Sequence, residues 1–417
     1  MHYSLDYGKQ GLQFVLPDSM NVKVIEPAFS DAADDPEALL QYSLQNPIGK
    51  PALRECASEC GRVGIIFNDI TRATPTKLIL SAILKELSDI PSQNIILFNA
   101  TGTHRDNTDA ELKQMLGEEI FGQYKIIQNH SDDLGSQCCL GKTSFGHEVW
   151  VNKELCSCDL VILTGFIEPH FFAGFSGGGK AIMPGMSGRK TIFGNHSAPM
   201  ISNINSVWGI TTGNPIWEEI QEAAENVGNL FLVNVTMNNK HQVINAFCGD
   251  LRSAHKAGAA EVKQSAMQLV DGLFDIVITS NSGYPLDLNL YQAVKGMSAA
   301  AQIVKPGGAI IIAAECNDGV PDHGLFRRTL SENDSPKQIL KNIIANDEVV
   351  QDQWQVQILT QILEKTNVYL YSTLPDNVVK ECHLKPVHDI AALCIQLAPQ
   401  GRICVMPSGP LTIPYTA

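Results

Sequence analysis

Arg62-Val-Gly-Ile-Ile-Phe-Asn-Asp-Ile-Thr-Arg-Ala-Thr-Pro75 runs from a short apolar stretch through a polar loop to the start of a helical pattern. An apolar run without alternation marks a strand buried on both faces, as in a parallel sheet. Open sheets of this kind bind ligands at the carboxyl ends of their strands, which makes Asp69 and Arg72 candidate site residues. Thr74-Pro75 has the chemistry of an N-cap and first position for a helix over Thr76 to Leu87.

The unit recurs along the chain. Asn94-Ile-Ile-Leu-Phe98 leads into Thr101-Gly-Thr-His104, and a helix is predicted over Asp109 to Leu116. Lys125 to Gln128 and Leu160 to Leu163 are further strands, and Asn229 to Thr236 another. Strand, loop and helix in succession imply parallel βαβ units. A long helix is expected from about Leu251 to Leu269, with a domain boundary at Asp271-Gly272. A new strand, Phe274 to Thr279, then opens a second domain whose next helix carries Tyr291, Gln292 and Lys295.

The chain has 417 residues, more than one core normally supports, so two domains are expected. The formal charge is −14 with the acidic residues spread along the chain, which excludes nucleic acid as the main partner. The N-terminus has no apolar signal core and no run is long enough to span a membrane, so the expected location is the cytoplasm. Eleven cysteines at irregular spacing form no CxxC pair, which indicates neither a disulfide framework nor a cysteine zinc site.

The densest chemistry lies in Glu168-Pro-His-Phe-Phe-Ala-Gly-Phe-Ser-Gly-Gly-Gly-Lys-Ala-Ile-Met-Pro-Gly185, followed by Asn195-His196. Clustered glycines suit close approach of a ligand to the main chain, although they also serve as plain connectors. Gly174 to Ala181 nearly fits a phosphate loop, but Ala181 lacks the hydroxyl that would hold magnesium, and Pro184-Gly185 interrupts the helix that should follow. No GxGxxG follows any strand. Five histidines, at 104, 130, 147, 170 and 196, fall in one half of the chain without metal-ligand spacing. Two neutral imidazoles facing one carbon from opposite sides would suit racemisation, and Arg72 with Lys295 would hold a carboxylate.

Asn68 to Pro75, Thr101 to His104, Glu168 to Gly185, Asn195-His196 and Gly283-Tyr-Pro-Leu-Asp-Leu-Asn-Leu-Tyr-Gln-Ala-Val-Lys295 together resemble the nickel-dependent lactate racemase family, in order and over essentially the whole chain. The resemblance implies two Rossmann-like α/β domains with the active site in the cleft between them. A cofactor-binding domain would span 1–270, completed by 400–417, and a second domain 271–399. It also implies a nickel-pincer nucleotide, the nickel complex of pyridinium-3-thioamide-5-thiocarboxylic acid mononucleotide. Lys180 would tether this cofactor, His196 would ligate nickel, and Asp69 with the amides of Ser176, Gly177, Gly178 and Gly179 would hold its phosphate. His104 and His170 would be the alternate acid/bases of a hydride relay. Arg72, Gln292, Lys295, Tyr284 and Trp354 would bind the substrate, a small 2-hydroxy acid whose side chain and the oligomeric state are left open. Cofactor-biosynthesis enzymes would be partners. The competing expectation is an anion- or nucleotide-binding protein, or a phosphate-loop enzyme, without the pincer cofactor.

Overall fold

The computed structural model describes residues 1–321, 324–346 and 348–416. Two six-stranded sheets organise them. The first has the order 243–249, 230–237, 160–166, 63–68, 95–100, 125–128, parallel except for the edge strand Val243–Gly249. Val63–Asn68, the opening apolar run, lies at its middle and is buried on both faces along nearly its whole length. The chain reverses direction across the sheet between Val63–Asn68 and Leu160–Phe166, so the loops after these two strands flank the crevice where such sheets bind ligands. One loop carries Asp69 and Arg72. The other is the glycine-rich segment.

The second sheet is wholly parallel, in the order 385–386, 367–371, 304–313, 274–280, 402–406, 21–24. Its composition changes the expected assignment of both chain ends. Arg402–Met406, expected in the first domain, pairs with Phe274–Ser280 of the second sheet, and Asn21–Val24 pairs beside it. The N-terminal hairpin, His2–Leu5 with Leu12–Val15, covers this sheet's outer face, where Leu5, Leu16 and Met20 pack on Ile276, Ile278 and Val405. Only Ile413–Thr416 turns back, to pair with Met267–Val270. That pairing also shortens the expected long helix to Leu251–Ala266, because the apolar run after Ala266 is claimed by a strand partner far along the chain.

A single hydrophobic core passes from one face of the first sheet (Ile66, Phe98, Leu163), through Phe171 to Met186, to the second domain (Val277, Ala293, Ile310, Leu359). Direct hydrogen bonds cross the same junction. The Trp208 indole donates to Ser298 Oγ at 3.1 Å, and the buried Gln357 amide donates to Ala198 O at 3.0 Å and Ser202 Oγ at 2.8 Å. No helix among the described residues is long and apolar enough to cross a membrane.

Candidate active site

The loop after Val63–Asn68 is braced locally. Thr74 donates its hydroxyl to Asn68 Oδ1 at 2.8 Å, so it clamps the loop and does not cap the helix Thr76–Glu86, whose N-terminus has no side-chain cap. Beside it the buried Asp69 accepts from Thr71 Oγ1 at 2.7 Å and meets His104 Nδ1 at 2.7 Å. Burial opposes the charge on Asp69, but the bonds from His104 and Thr71 and the charge of Arg72 outweigh it and hold the carboxyl below its usual range. An ionised Asp69 can only accept, so Nδ1 of His104 carries a proton, which leaves Nε2 as the nitrogen that can exchange one with a substrate. The side chain of His104 is 50 % exposed. Asp69, expected on the cofactor phosphate, makes its bond to His104 in this structure.

The glycine-rich segment forms a two-stranded ribbon, Pro169–His170 with Gly174–Phe175, and then one short turn of 3-10 helix, Gly178–Ala181. Its glycines answer first to packing. A Cβ on Gly177, at φ +75°, would lie 2.5 Å from Asn234 Oδ1, and one on Gly178 2.9 Å from the His255 ring. Two of the four amides expected to hold phosphate are already used: Ser176 N–H donates to Glu168 O and Gly178 N–H to Asn234 Oδ1. Ser176 Oγ is engaged as well, donating to Phe166 O and accepting from Glu168 N–H. The amides of Gly177 and Gly179 are the remaining candidates. Behind the loop, His255 stacks on Trp217 at 4.3 Å and donates to Ser176 O at 2.8 Å; burial pushes its pKa down to about 4, so it is a neutral brace.

This packing projects Lys180 onto His170, Nζ to Nε2, at 3.3 Å. His170 Nδ1 accepts from Ala173 N–H at 3.3 Å, which puts the proton of the neutral ring on Nε2. Lys180 must then present a lone pair, as a free amine. The electrostatics agree: burial, with Arg72 and Lys295 nearby, brings Lys180 down to about 7, only partly opposed by Glu168. Burial, with the cations Lys295 and Arg72 nearby, pushes His170 well below the ordinary imidazole value.

His196 caps the C-terminus of the helix Arg189–Asn195 and is 5 % exposed. Its Nδ1 is buried without a hydrogen-bond partner, and burial beside Lys180 lowers the ring pKa to about 3. The ring is held edge-on by Phe172 at 5.1 Å and by Trp354 at 5.0 Å, and Phe172 in turn meets His170 at 4.5 Å. Trp354 comes from the helix Gln353–Leu363 of the second domain, so the histidine is gripped from both sides of the cleft.

The helix Leu290–Ala300 supplies the opposite wall. Lys295 is brought down to about 8 by burial and by Arg72, with Glu168 opposing, which places all three in one electrostatic neighbourhood. Gln292 sits one turn earlier on the same helix face. Tyr284 is not part of this group: it is 50 % exposed, its ring lies under Lys9 Nζ at 4.5 Å, and its N–H donates to Gly8 O. Tyr291 takes the place expected of it, accepting from the Trp354 indole at 3.1 Å. Its spacing signals this, four residues before Lys295 and therefore on the same helix face. Glu168 is a further residue of this neighbourhood, within the charge field of Arg72, Lys295 and Lys180. Burial raises its pKa, against the charges of Arg72, Lys295, His241 and Lys180. Removing the Tyr284 hydroxyl (Tyr284→Phe) should leave KM unchanged, whereas Tyr291→Phe, which loses a bond at the wall, should raise it about threefold to tenfold in steady-state assays.

The family models for the lactate racemase N-terminal domain and C-terminal domain match residues 7–209 and 271–409. The chain is 36 % identical over 392 residues to a lactate racemase of Thermoanaerobacterium thermosaccharolyticum, covering 93 % of this chain and 92 % of that one. It is 38 % identical over 351 residues to a lactate racemase of Lactiplantibacillus plantarum, covering 83 % and 82 %. The solved lactate racemase apoprotein of T. thermosaccharolyticum superposes with a TM-score of 0.94 at 34 % identity, over 99 % of this chain and 100 % of that one. A Thermotoga maritima protein of solved structure shares the fold at a TM-score of 0.69 and 16 % identity, over 93 % and 100 %. The chain is a member of the lactate racemase family of isomerases.

Proposed function

We propose that this protein racemises or epimerises a small 2-hydroxy acid of lactate type, using a nickel-pincer nucleotide tethered to Lys180. The observation that carries this reading is the free amine of Lys180, held against His170 in the same aromatic cage that keeps His196. A buried lysine in its free-base form is a nucleophile able to condense with a thiocarboxylic acid, the C–N bond forming as the C–O bond breaks and water leaves, to give a thioamide. His196 offers a neutral nitrogen with no hydrogen bond to either ring nitrogen among the described residues, as an imidazole ligand to nickel requires. No cluster of three or more protein ligands lies among the described residues, so a metal at His196 would take its other ligands from a bound organic group. These residues fit the cofactor, which when bound supplies a reversible acceptor for the C2 hydrogen and its electron pair.

The chain's own residues then do the rest. Arg72 and Lys295 take the substrate carboxylate, the arginine in bidentate fashion, with Gln292 beside them. One histidine removes the 2-hydroxyl proton as C2 becomes planar, and the other returns a proton once the hydrogen has come back to the opposite face. His104 is prepared for this by Asp69, which fixes its tautomer. His170 stays neutral because it is buried, with the cations Lys295 and Arg72 nearby. The cations also stabilise negative charge on the carboxylate and the developing carbonyl oxygen. Phe172, Trp354 and Tyr291 exclude water around them. Cofactor-biosynthesis enzymes are the partners this reading requires.

The phosphate-loop alternative loses support from the loop itself, where Ser176 and Gly178 amides are spent inside the protein and no long helix follows Lys180. The test is a panel of enantiopure 2-hydroxy acids with protein prepared alongside the cofactor-making enzymes and nickel. Loss of optical purity for lactate, absent when nickel is omitted, is the expected result. Cofactor-loaded protein that leaves every panel member enantiopure would overturn the reading.

A further inference from the structure

Glu219 lies in the helix Pro215–Glu225 with 1 % of its surface exposed, and no catalytic or binding role described above uses it. A buried carboxylate is tolerated only where donors surround it. Here three converge. Thr143 Oγ1 donates to Oε1 at 2.7 Å, His147 Nδ1 meets the same oxygen at 2.8 Å, and Asn195 Nδ2 donates to Oε2 at 3.0 Å. Thr143 and His147 belong to the turn between the hairpin strands Gln137–Lys142 and Glu148–Asn152. Asn195 is the last residue of the helix that ends on His196. The grip extends over three consecutive residues. The His147 ring lies so close to Gly194 that a Cβ there would stand 2.7 Å from its Cγ, Asn195 is held by Glu219, and His196 N–H donates to Ile192 O.

Metal-binding histidines are ordinarily oriented by a hydrogen bond from the second ring nitrogen. His196 has none, since its Nδ1 is buried and unpartnered. Its ring plane is left to Phe172 and Trp354, and its backbone position must come from the residue before it. We infer that Glu219, with Thr143, His147 and Asn195, is a positioning network that sets His196 for its metal. This rests on the reading of His196 as the nickel ligand.

The test uses the cofactor-loaded protein in three variants: Glu219→Gln, Asn195→Ala, and Glu222→Gln as a control. Glu222 fastens the same hairpin turn through Ser144 N–H at 2.6 Å and Ser144 Oγ at 2.7 Å, without touching the helix that carries His196. Intact mass reports the tether at Lys180, and a chelator challenge followed by elemental analysis reports how fast nickel leaves. Glu219→Gln and Asn195→Ala should keep the tethered mass and release nickel about 10-fold to 100-fold faster, with an altered absorption band, while Glu222→Gln behaves as wild type. If Glu219→Gln does not fold, Asn195→Ala decides, because it removes the bonds from the His196 helix to Glu219 and to Ile216 O while leaving Thr143 and His147 on the carboxylate. Wild-type release from a tethered Asn195→Ala protein overturns the inference, as does equal acceleration by Glu222→Gln, which would mean the hairpin merely needs anchoring. Absence of tethered mass from the wild-type protein overturns the functional reading and this inference with it.

Discussion

Lys180→Ala should remove all covalent cofactor mass and abolish racemisation while leaving the thermal transition in place. The geometry gives the reason. Nζ faces the His170 ring at 3.3 Å, and burial with the cations Arg72 and Lys295 brings its pKa down to about 7, so a large share of it is free amine near neutral pH. Alanine removes the amine but keeps the backbone turn that packs under the helices. Taking away a buried amine also relieves the repulsion with Arg72 and Lys295, so stability should be preserved or slightly raised. The sign of the pH effect follows from the lowered value. Below about 7 the protonated amine dominates and attack is suppressed, while above it the free amine dominates. Cofactor attachment to the apoprotein, timed by intact mass, should therefore rise through neutral pH and level off well below the 10.5 of an ordinary lysine. Persistence of the adduct in Lys180→Ala would place the tether elsewhere.

His170→Ala and His104→Ala should each slow racemisation by about 10²-fold to 10⁴-fold, the usual worth of a positioned acid or base. The two losses should differ in character. Burial, together with the cations Lys295 and Arg72, keeps His170 neutral well below the ordinary value of 6.5, so it remains a base into mildly acidic solution. His104 depends on Asp69 for its tautomer, and Asp69→Asn should reproduce much of the His104→Ala effect on kcat with little change in KM. Measured from each enantiomer in turn, the two histidine variants should show opposite bias in their initial rates. Wild-type rates in both would exclude a two-base mechanism.

The strand ends were the readable part of this molecule. Val63–Asn68, Ile95–Ala100 and Leu160–Phe166 are apolar over short runs because both faces are covered, and that pattern needs no knowledge of partners. The helix Asp109–Leu116 was readable to the residue, since Thr108 forms a capping box with Glu111. What could not be read is pairing across long separations. Nothing local in Asn21–Val24 or Arg402–Met406 says that both join the second sheet, and nothing in Met267–Val270 separates the end of a helix from a strand with a distant partner. The site shows the same division. Residue types and loop positions single out Arg72, His104, His170, Lys180 and Lys295, but the task of Asp69 depended on where His104 folds back. Tyr284 and Tyr291 lie seven residues apart in one motif, and only the folded chain separates them: Tyr284 stays 50 % exposed ahead of the helix that begins at Leu290, while Tyr291 on that helix meets Trp354. Glycine density does not say what comes close to the main chain, and at Gly177 and Gly178 Asn234 and His255 do.

The most direct measurement is racemisation of L-lactate by the cofactor-loaded protein in D2O, with chiral analysis and the deuterium content at C2 read on the same samples. A C2 hydrogen that leaves and returns with its electron pair does not exchange with solvent, while one removed as a proton by His104 or His170 does. The expected result is complete loss of optical purity with C2 still carrying protium. Racemisation accompanied by deuterium at C2, or enantiopure lactate from protein that carries the tethered mass and nickel, would contradict the proposed chemistry.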